Sequence, residues 1–136
     1  MKKSFTIIEL LIVIALIAIL VGLTLPRFRG MVEEGNIAKA KGELRTLQIA
    51  VESYYIHNNN TYPATLASLT SATPNIIGST LPNDPFNGTS NYGAATDGAS
   101  PVKYYVIYSV GPGGNGSATV STAGVVTETN GASCIY

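Results

Sequence analysis

A single carboxylate lies where an apolar segment should least tolerate it. Glu9 falls within residues 5–25, a run that is apolar except for Thr6, Glu9, Gly22 and Thr24. An acid near the middle of a bilayer costs at least about 2.5–3.5 kcal/mol on insertion scales, and such residues usually mark a function. The chemistry open to Glu9 is an ion pair with an amine that another molecule brings to it.

A purely local explanation also exists for Glu9. The residue lies only about 6 Å from the start of the apolar helix, so its side chain can reach the membrane surface. Its charge is also favoured by the positive end of the helix dipole. On these grounds alone, the structural and the functional interpretations are equally supported.

The residues ahead of the run supply a candidate for the amine. Residues 1–4 are a minimal basic leader with two lysines, ending in the small residue Ser4. Cleavage after Ser4 would give Phe5 a free α-amine, four residues from Glu9. An amine and a carboxylate about 4 Å apart attract by roughly 4 kcal/mol at an effective dielectric of 20. One helix cannot fold its own terminus back, so the amine is predicted to come from a neighbouring copy and to set the register of assembly.

The run itself has the properties of a retained membrane anchor. Its 21 residues give a helix about 31 Å long, enough to cross a bilayer core. A cleaved secretory signal has a shorter apolar region that ends at a small-residue site, whereas this run ends in Leu25, Pro26 and Arg27. The two leader lysines favour a cytoplasmic N-terminus. We therefore expect a single-pass protein whose remaining residues lie across the membrane.

Beyond Pro26 the helix is predicted to continue as an amphipathic segment. Pro26 removes a main-chain hydrogen bond and Gly22 lowers helix propensity, so this stretch is predicted to kink or melt locally. The helix then continues, because apolar residues recur at spacings of three and four, the period of one helix face. They are Ile37, Ala40, Leu44, Leu47, Val51 and Tyr54.

The second half of the chain has the composition of a small β-rich domain. Residues 103–110 form the best strand, rich in aromatic and β-branched residues, and weaker strands are predicted at 118–121 and 124–128. A helical turn is predicted at 65–69. We expect an α+β fold in which a small antiparallel sheet packs on the C-terminal half of the long helix. The predicted segments are the leader (1–4), the membrane half of the helix (5–26), its amphipathic half (27–57) and an exported region (58–136) that packs with 27–57 as one head.

Neither catalysis nor nucleic-acid binding is predicted. An active site needs convergent acids, bases or nucleophiles, and the chain has one His and one Cys. His57 is better explained as a cap on the helix end, and Cys134 as an inert thiol. Residues 111–116 are rich in glycine but lack the lysine and following helix of a phosphate loop. The net charge is zero, which gives no support to nucleic-acid binding by bulk charge.

The N-terminal motif resembles a known signature. Phe5-Thr6-Ile7-Ile8-Glu9-Leu10, with the apolar run to Pro26, is similar to the start of type IV pilins and type II secretion pseudopilins. The resemblance implies that a prepilin peptidase removes the leader and methylates the new terminal Phe5. It also implies that Glu9 guides assembly of a helical filament from the bacterial inner membrane, with an assembly ATPase and a platform protein as partners. Ser4 departs from the glycine usual before the cut.

The exported half resembles one branch of this family. Tyr62 and Pro63, residues 81–86 (Leu-Pro-Asn-Asp-Pro-Phe) and residues 108–114 (Tyr-Ser-Val-Gly-Pro-Gly-Gly) look like the G-type major pseudopilin of type II secretion. That resemblance implies a filament that acts as a piston for protein export. Cys134 is the only cysteine and cannot form the disulfide of typical type IV pilins, which also favours a pseudopilin.

The resemblance further implies calcium in the loop that follows the best strand. Calcium takes six to eight oxygen ligands, several of them carboxylates. Gly113 and Asn115 stand where Asp would be expected, and Asp97 and Glu128 are the acids left to contribute. The sequence therefore does not support a metal or any other cofactor.

Two alternative functions stay open at this stage. One is a major type IV pilin of a surface fibre, used for adhesion, twitching or DNA uptake. The other is a single-pass periplasmic module that binds a ligand and never polymerises. A filament subunit needs Glu9 for assembly, whereas the anchored module does not.

Overall fold

A computed structural model describes residues 5–130 of the chain. Ser4, the predicted cleavage site, and Cys134 lie outside the described residues. The chain divides into two compact units, Met1–Gly35 and Asn36–Tyr136; the second is called the head below. The elements in chain order are α1 (Ile7–His57), α2 (Ser68–Ser71), β1 (Gly93–Thr96), β2 (Tyr105–Tyr108), β3 (Ser117–Val120) and β4 (Val126–Thr129).

The part of α1 that lies in the first unit exposes its apolar side chains. By length and composition α1 can cross a membrane, and none of its most apolar window is buried within the structure. The helix includes Pro26 without interruption. The long anchor predicted from residues 5–25 is therefore present as helix, and no described residue covers its apolar surface.

In the head, the amphipathic part of α1 carries the core. Its buried residues recur at helical spacing, in agreement with the apolar stripe predicted from the sequence, and are Ala40, Leu44, Leu47, Ala50 and Val51. They form one cluster with Leu66, Leu69, Tyr92 and Ile107. Leu81 and Phe86 pack against this cluster, so the turn-rich segment around them is held against the helix.

The end of α1 is fixed by local hydrogen bonds. Asn59 and Asn60 have φ values of 51° and 55°, in the left-handed region that asparagine tolerates better than most residues. The backbone N–H of Asn60 donates to the Tyr55 carbonyl at 3.1 Å, which closes the last turn. His57 Nδ1 lies 2.8 Å from the Ser53 carbonyl oxygen, so the Nδ1–H tautomer satisfies another terminal carbonyl. His57 thus serves as the predicted cap.

The head contains two small antiparallel sheets where the sequence predicts one. β1 pairs with β2, and β3 pairs with β4. The sheets meet face to face through Val106, Ala118 and Val120, so β3 packs against the first sheet instead of extending it. β1 is missing from the prediction because its sequence, Gly-Ala-Ala-Thr, has low β-propensity. The α+β class is confirmed.

One cross-strand pair requires a glycine. Gly93 of β1 lies opposite Tyr108 of β2, and a Cβ at position 93 would overlap the Tyr108 ring. Aromatic side chains commonly cover a glycine on the neighbouring strand and so fix the register. The pair therefore fixes where β1 begins.

Replacing Gly93 with alanine should destabilise the head. We expect the free energy of unfolding to fall by about 1–3 kcal/mol, because the added methyl group forces the Tyr108 ring to move. Urea denaturation of the full chain in detergent, followed by tyrosine fluorescence, measures the change. Gly78→Ala is the matched control, since a Cβ there meets no atom within 4 Å. Equal unfolding midpoints for the two variants would contradict the packing argument.

Candidate assembly site

Glu9 is held by hydrogen bonds within the first turn of α1. Thr6 immediately precedes the helix, and its Oγ1 accepts a hydrogen bond from the Glu9 backbone N–H at 3.4 Å. The same hydroxyl donates to Glu9 Oε2 at 3.5 Å. A threonine followed three residues later by a glutamate is the capping-box arrangement. The helix dipole also favours a negative charge at this end, so Glu9 stabilises the start of its own helix.

The Glu9 carboxylate keeps the capacity to bind a further partner. Within residues 5–130, no cation lies within ion-pair distance of it. The side chains around it, Phe5, Ile7 and Ile8, are exposed. An amine from another copy can therefore approach Glu9 without displacing any residue that the structure describes.

The second predicted element of the site, around Pro26, is helical in the structure. Proline has no N–H for the carbonyl four residues earlier, which here belongs to Gly22. The Thr24 hydroxyl bonds to the carbonyls of Leu20 and Val21 at 3.0 and 3.2 Å. A Cβ at Gly22 would meet nothing within 4 Å, so packing within the chain does not require a glycine. Local melting at this point stays a prediction.

The structure does not bring the predicted site residues together. Phe5 and Glu9 lie at the start of α1, while Gly22 and Pro26 lie about 20 Å further along the same helix. Sequence reasoning missed Thr6, although a threonine three residues before an acid at a helix start is a recognisable signal. It also missed the polar clusters of the head.

Asp84 is a fully buried carboxylate that organises one of these clusters. Its Oδ1 accepts hydrogen bonds from Ser109 Oγ at 2.8 Å and from the Phe86 N–H at 3.0 Å. Its Oδ2 accepts from the Val110 N–H at 2.9 Å. Ser109 Oγ in turn accepts from the Gly111 N–H at 3.1 Å. Asp84 thereby ties its own turn to the loop that leaves β2.

The described residues of the head do not form a cluster that fits a calcium site. In the part of the chain that the structure describes, no three His, Cys, Asp or Glu side chains lie close enough to hold a metal ion. The Asp97 carboxylate is occupied by the backbone N–H groups of Ala99 and Lys103. Glu128 lies on β4, a strand exposed throughout. The loop after β2 is instead positioned by the hydrogen bonds of Asp84.

Tyrosine hydroxyls form hydrogen bonds that link the part of α1 in the head to other segments of the head. Tyr92 Oη donates to Glu43 at 2.6 Å, and Tyr105 Oη donates to Glu52 at 3.0 Å. The Tyr62 ring lies 4.7 Å from that of Tyr105, centroid to centroid, and its hydroxyl also reaches Glu52. Burial, and then the hydrogen bond to the carboxylate, raise the pKa of both Tyr92 and Tyr105 well above the ordinary value.

Comparison with known proteins identifies the class first. Residues 1–25 match the prokaryotic N-terminal methylation motif, which includes the leader and the segment that contains Phe5 and Glu9. The exposed apolar helix that follows the motif and the small α+β head are consistent with a pilin-like protein.

The family follows from the rest of the chain. Residues 27–128 match the family described as type II secretion system, protein G. Because this match covers most of the chain, the protein belongs to that family. The resemblance seen in the sequence is thereby confirmed.

Three similar proteins carry the name type II secretion system core protein G. That of Pectobacterium carotovorum subsp. carotovorum is 31% identical over 64 residues, 47% of this chain and 40% of the relative. That of Pseudomonas aeruginosa is 28% identical over 68 residues, which are 50% of this chain and 47% of the relative. That of Escherichia coli is 31% identical over 70 residues, which are 52% of this chain and 48% of the relative. The matches span less than half the length of these relatives. No solved structure matches the chain with significance.

Removing the Asp84 carboxylate should strongly destabilise the head. Asp84→Ala leaves the buried Ser109 hydroxyl and two half-buried backbone N–H groups without their acceptor, and a fully buried group of this kind costs about 1–3 kcal/mol. We expect the free energy of unfolding to fall by about 3 kcal/mol or more, measured by urea denaturation of the full chain in detergent. Glu128→Ala removes an exposed carboxylate and should change it by less than about 0.5 kcal/mol. Similar values for both variants would show that Asp84 does not organise the loop.

The tyrosine pKa shifts predict a loss of stability at alkaline pH. Tyrosine in the unfolded chain has a pKa of about 10, and the folded values of Tyr92 and Tyr105 are higher. Their contribution is therefore fully present below about pH 10. It is lost as the pH rises towards the folded values, because only the unfolded state then releases these protons.

The midpoint of urea unfolding, measured between pH 8 and pH 11, tests this expectation. Phenolate absorbance follows the ionisation of the tyrosines over the same range. Tyr92→Phe should flatten the alkaline decline, since one group with a raised pKa is removed. Tyr104→Phe is the control, because Tyr104 is exposed and should leave the slope as it is. If the urea midpoint of Tyr92→Phe falls with pH as steeply as that of the unchanged chain, the raised pKa of Tyr92 does not contribute to stability.

Proposed function

We propose that this chain is the major pseudopilin of a type II secretion system, a structural subunit of a helical filament that acts as a piston in protein export. The observation that carries the proposal is the first half of α1: an apolar helix without cover that begins with a carboxylate held in its first turn. Membership of the protein G family supports the same function.

The exposed helix explains why such a subunit can exist in two environments. Apolar surface is stable only when it is removed from water, and the acyl chains of a bilayer provide this cover before assembly. The corresponding helices of other copies provide it in a filament. Both environments exclude water from the same side chains, so a subunit can move from one to the other without refolding its head.

Glu9 would select the correct arrangement of helices during that transfer. Processing after Ser4 by a prepilin peptidase gives Phe5 a methylated terminal amine. Paired with the Glu9 carboxylate of another copy, this amine is worth roughly 4 kcal/mol at 4 Å and an effective dielectric of 20. A helix displaced from the correct register loses this attraction and leaves a carboxylate unpaired in an apolar environment. The bond to Thr6 holds the carboxylate near the helix start, where the amine arrives.

The other partners follow from the direction of transfer. Lys2 and Lys3 favour a cytoplasmic N-terminus, which supports a periplasmic position for the head. Extracting the helix from the bilayer requires energy, so an assembly ATPase and a membrane platform protein are proposed as partners. Within the described residues, the buried acids of the head accept structural hydrogen bonds, which supports a structural rather than a catalytic function.

Glu9→Gln should abolish filament assembly while membrane insertion stays normal. Glutamine can replace glutamate at the third position of a capping box, so this variant keeps the helix start and removes the charge. We expect sheared filaments and secretion of enzymes by the host to disappear, although the protein remains in the membrane fraction. Glu33→Gln, an exposed acid further along α1, is the matched control.

The intact mass of each variant, extracted from its native membrane, completes the test. Loss of residues 1–4 with one added methyl group shows that processing is unaffected and that the defect lies in assembly. Normal filaments from Glu9→Gln would contradict the register function. A full-length, functional protein with unchanged activity in Glu9→Gln would favour the anchored module, and loss of surface fibres without loss of secretion would favour a type IV pilin.

A further inference from the structure

The large hydrophobic residues exposed on the head fall into two groups. Among the described residues from 36 to 130, five such side chains are exposed. Ile49 and Ile56 lie on α1, with exposed fractions of 65% and 72%. Tyr104, Val125 and Val126 lie at or near the β3–β4 hairpin, with 42%, 60% and 41%. We call these groups the helix patch and the hairpin patch.

The helix patch is a shallow concave surface. Ile49 and Ile56 are seven residues apart, so they lie on the same side of α1. The depression around them has a volume of about 420 Å³. It is lined by Arg45, Gln48, Ile49, Glu52, Ser53 and Ile56.

The hairpin patch lies on and beside β4, which pairs only with β3 among the described strands. β4 is exposed along its whole length, and Val126 pairs with Val120, which is buried between the sheets. Val126 therefore extends a buried apolar face to a position that no residue of the described range covers. The Tyr104 ring lies against Gly124, where a Cβ would approach to 2.9 Å. This contact places the ring beside the Gly124–Val126 segment.

Each patch has one cationic and one anionic side chain on or beside it. These charges can pair with the opposite charges of the other patch. Arg45 lies one helical turn from Ile49, and Glu128 lies two residues from Val126 on the same side of β4. Within residues 36–130, the single ion pair joins Lys39 to Glu43, so Arg45 and Glu128 have no ion-pair partner among these residues. The helix patch also contains Glu52, and the hairpin patch adjoins Lys103.

We propose that the helix patch of one copy docks on the hairpin patch of the next copy, with Arg45 paired to Glu128. This inference rests on the proposed filament function and names the contact between heads within it. The two surfaces differ, so the contact is heterologous, and every docked pair leaves one helix patch and one hairpin patch free for further copies. Heterologous contacts that do not close into a ring generate helical filaments.

Disulfide cross-linking in the native membrane tests the contact directly. The full chain would carry Ile49→Cys and Val126→Cys in a Cys134→Ser background and be expressed with its secretion machinery. After mild oxidation, non-reducing gels should show a ladder of dimers, trimers and longer species, because each copy contributes both cysteines. The matched control combines Ile49→Cys with Ser79→Cys, another exposed position, and should give no ladder.

Charge reversal provides a second measurement that does not depend on the cysteines. Arg45→Glu and Glu128→Arg should each lower the filament yield by about two- to fivefold, the size of effect expected for an exposed ion pair. The double variant should restore the yield, since the pair is then reversed but complementary.

The outcomes separate this contact from the filament function itself. Filaments with normal secretion but no ladder, or a double reversal that fails to rescue, would overturn the docking contact and leave the pseudopilin function standing. A chain that never forms filaments, even unmodified, would overturn the proposed function and the contact with it. A ladder that is equally strong in the Ser79 control would show random collision and would also overturn the contact.

Discussion

The first half of α1 exposes apolar side chains that nothing in the described chain covers, and this constraint governs how the protein can exist. In the proposed function, water is excluded either by a bilayer or by the corresponding helices of other copies. A polar group in this segment is tolerated only where its bonding capacity is used. Thr6 and the helix start partly satisfy Glu9, and we propose that a second copy uses the remaining capacity of its carboxylate.

The head, in contrast, has a core that is built from few apolar residues. The helix supplies five of the buried side chains of its main cluster, and the two sheets are only four residues long per strand. Polar links between distant segments supplement this core. Asp84 fixes the loop after β2, and Glu43 and Glu52 hold tyrosines against the helix. Long loops can therefore be ordered with little regular structure.

Local patterns made part of this structure predictable from sequence. The apolar anchor helix and the apolar stripe depend on residues a few positions apart, and the structure has both; the assembly function of Glu9 stays a prediction. Asp84 bonds to Ser109, 25 residues away, and Tyr92 to Glu43, 49 residues away. Residues so far apart in the sequence leave no short-range pattern, so the roles of these side chains could not be predicted from the sequence. β1 was missed for a related reason: its pairing with β2 stabilises a segment that has little strand propensity of its own.

The scarcity of ion pairs in the head has a consequence for ionic strength. Within the described residues, one ion pair is formed, between Lys39 and Glu43 at 3.8 Å, and it is partly exposed. Hydrogen bonds to the buried Asp84 and the half-buried Glu43 also hold the head together, and dissolved salt screens such groups far less than exposed charges. Added salt should therefore leave each head folded while it weakens contacts between charged surfaces of separate copies. Subunit exchange and subunit folding would then respond differently to the same change in the surrounding medium.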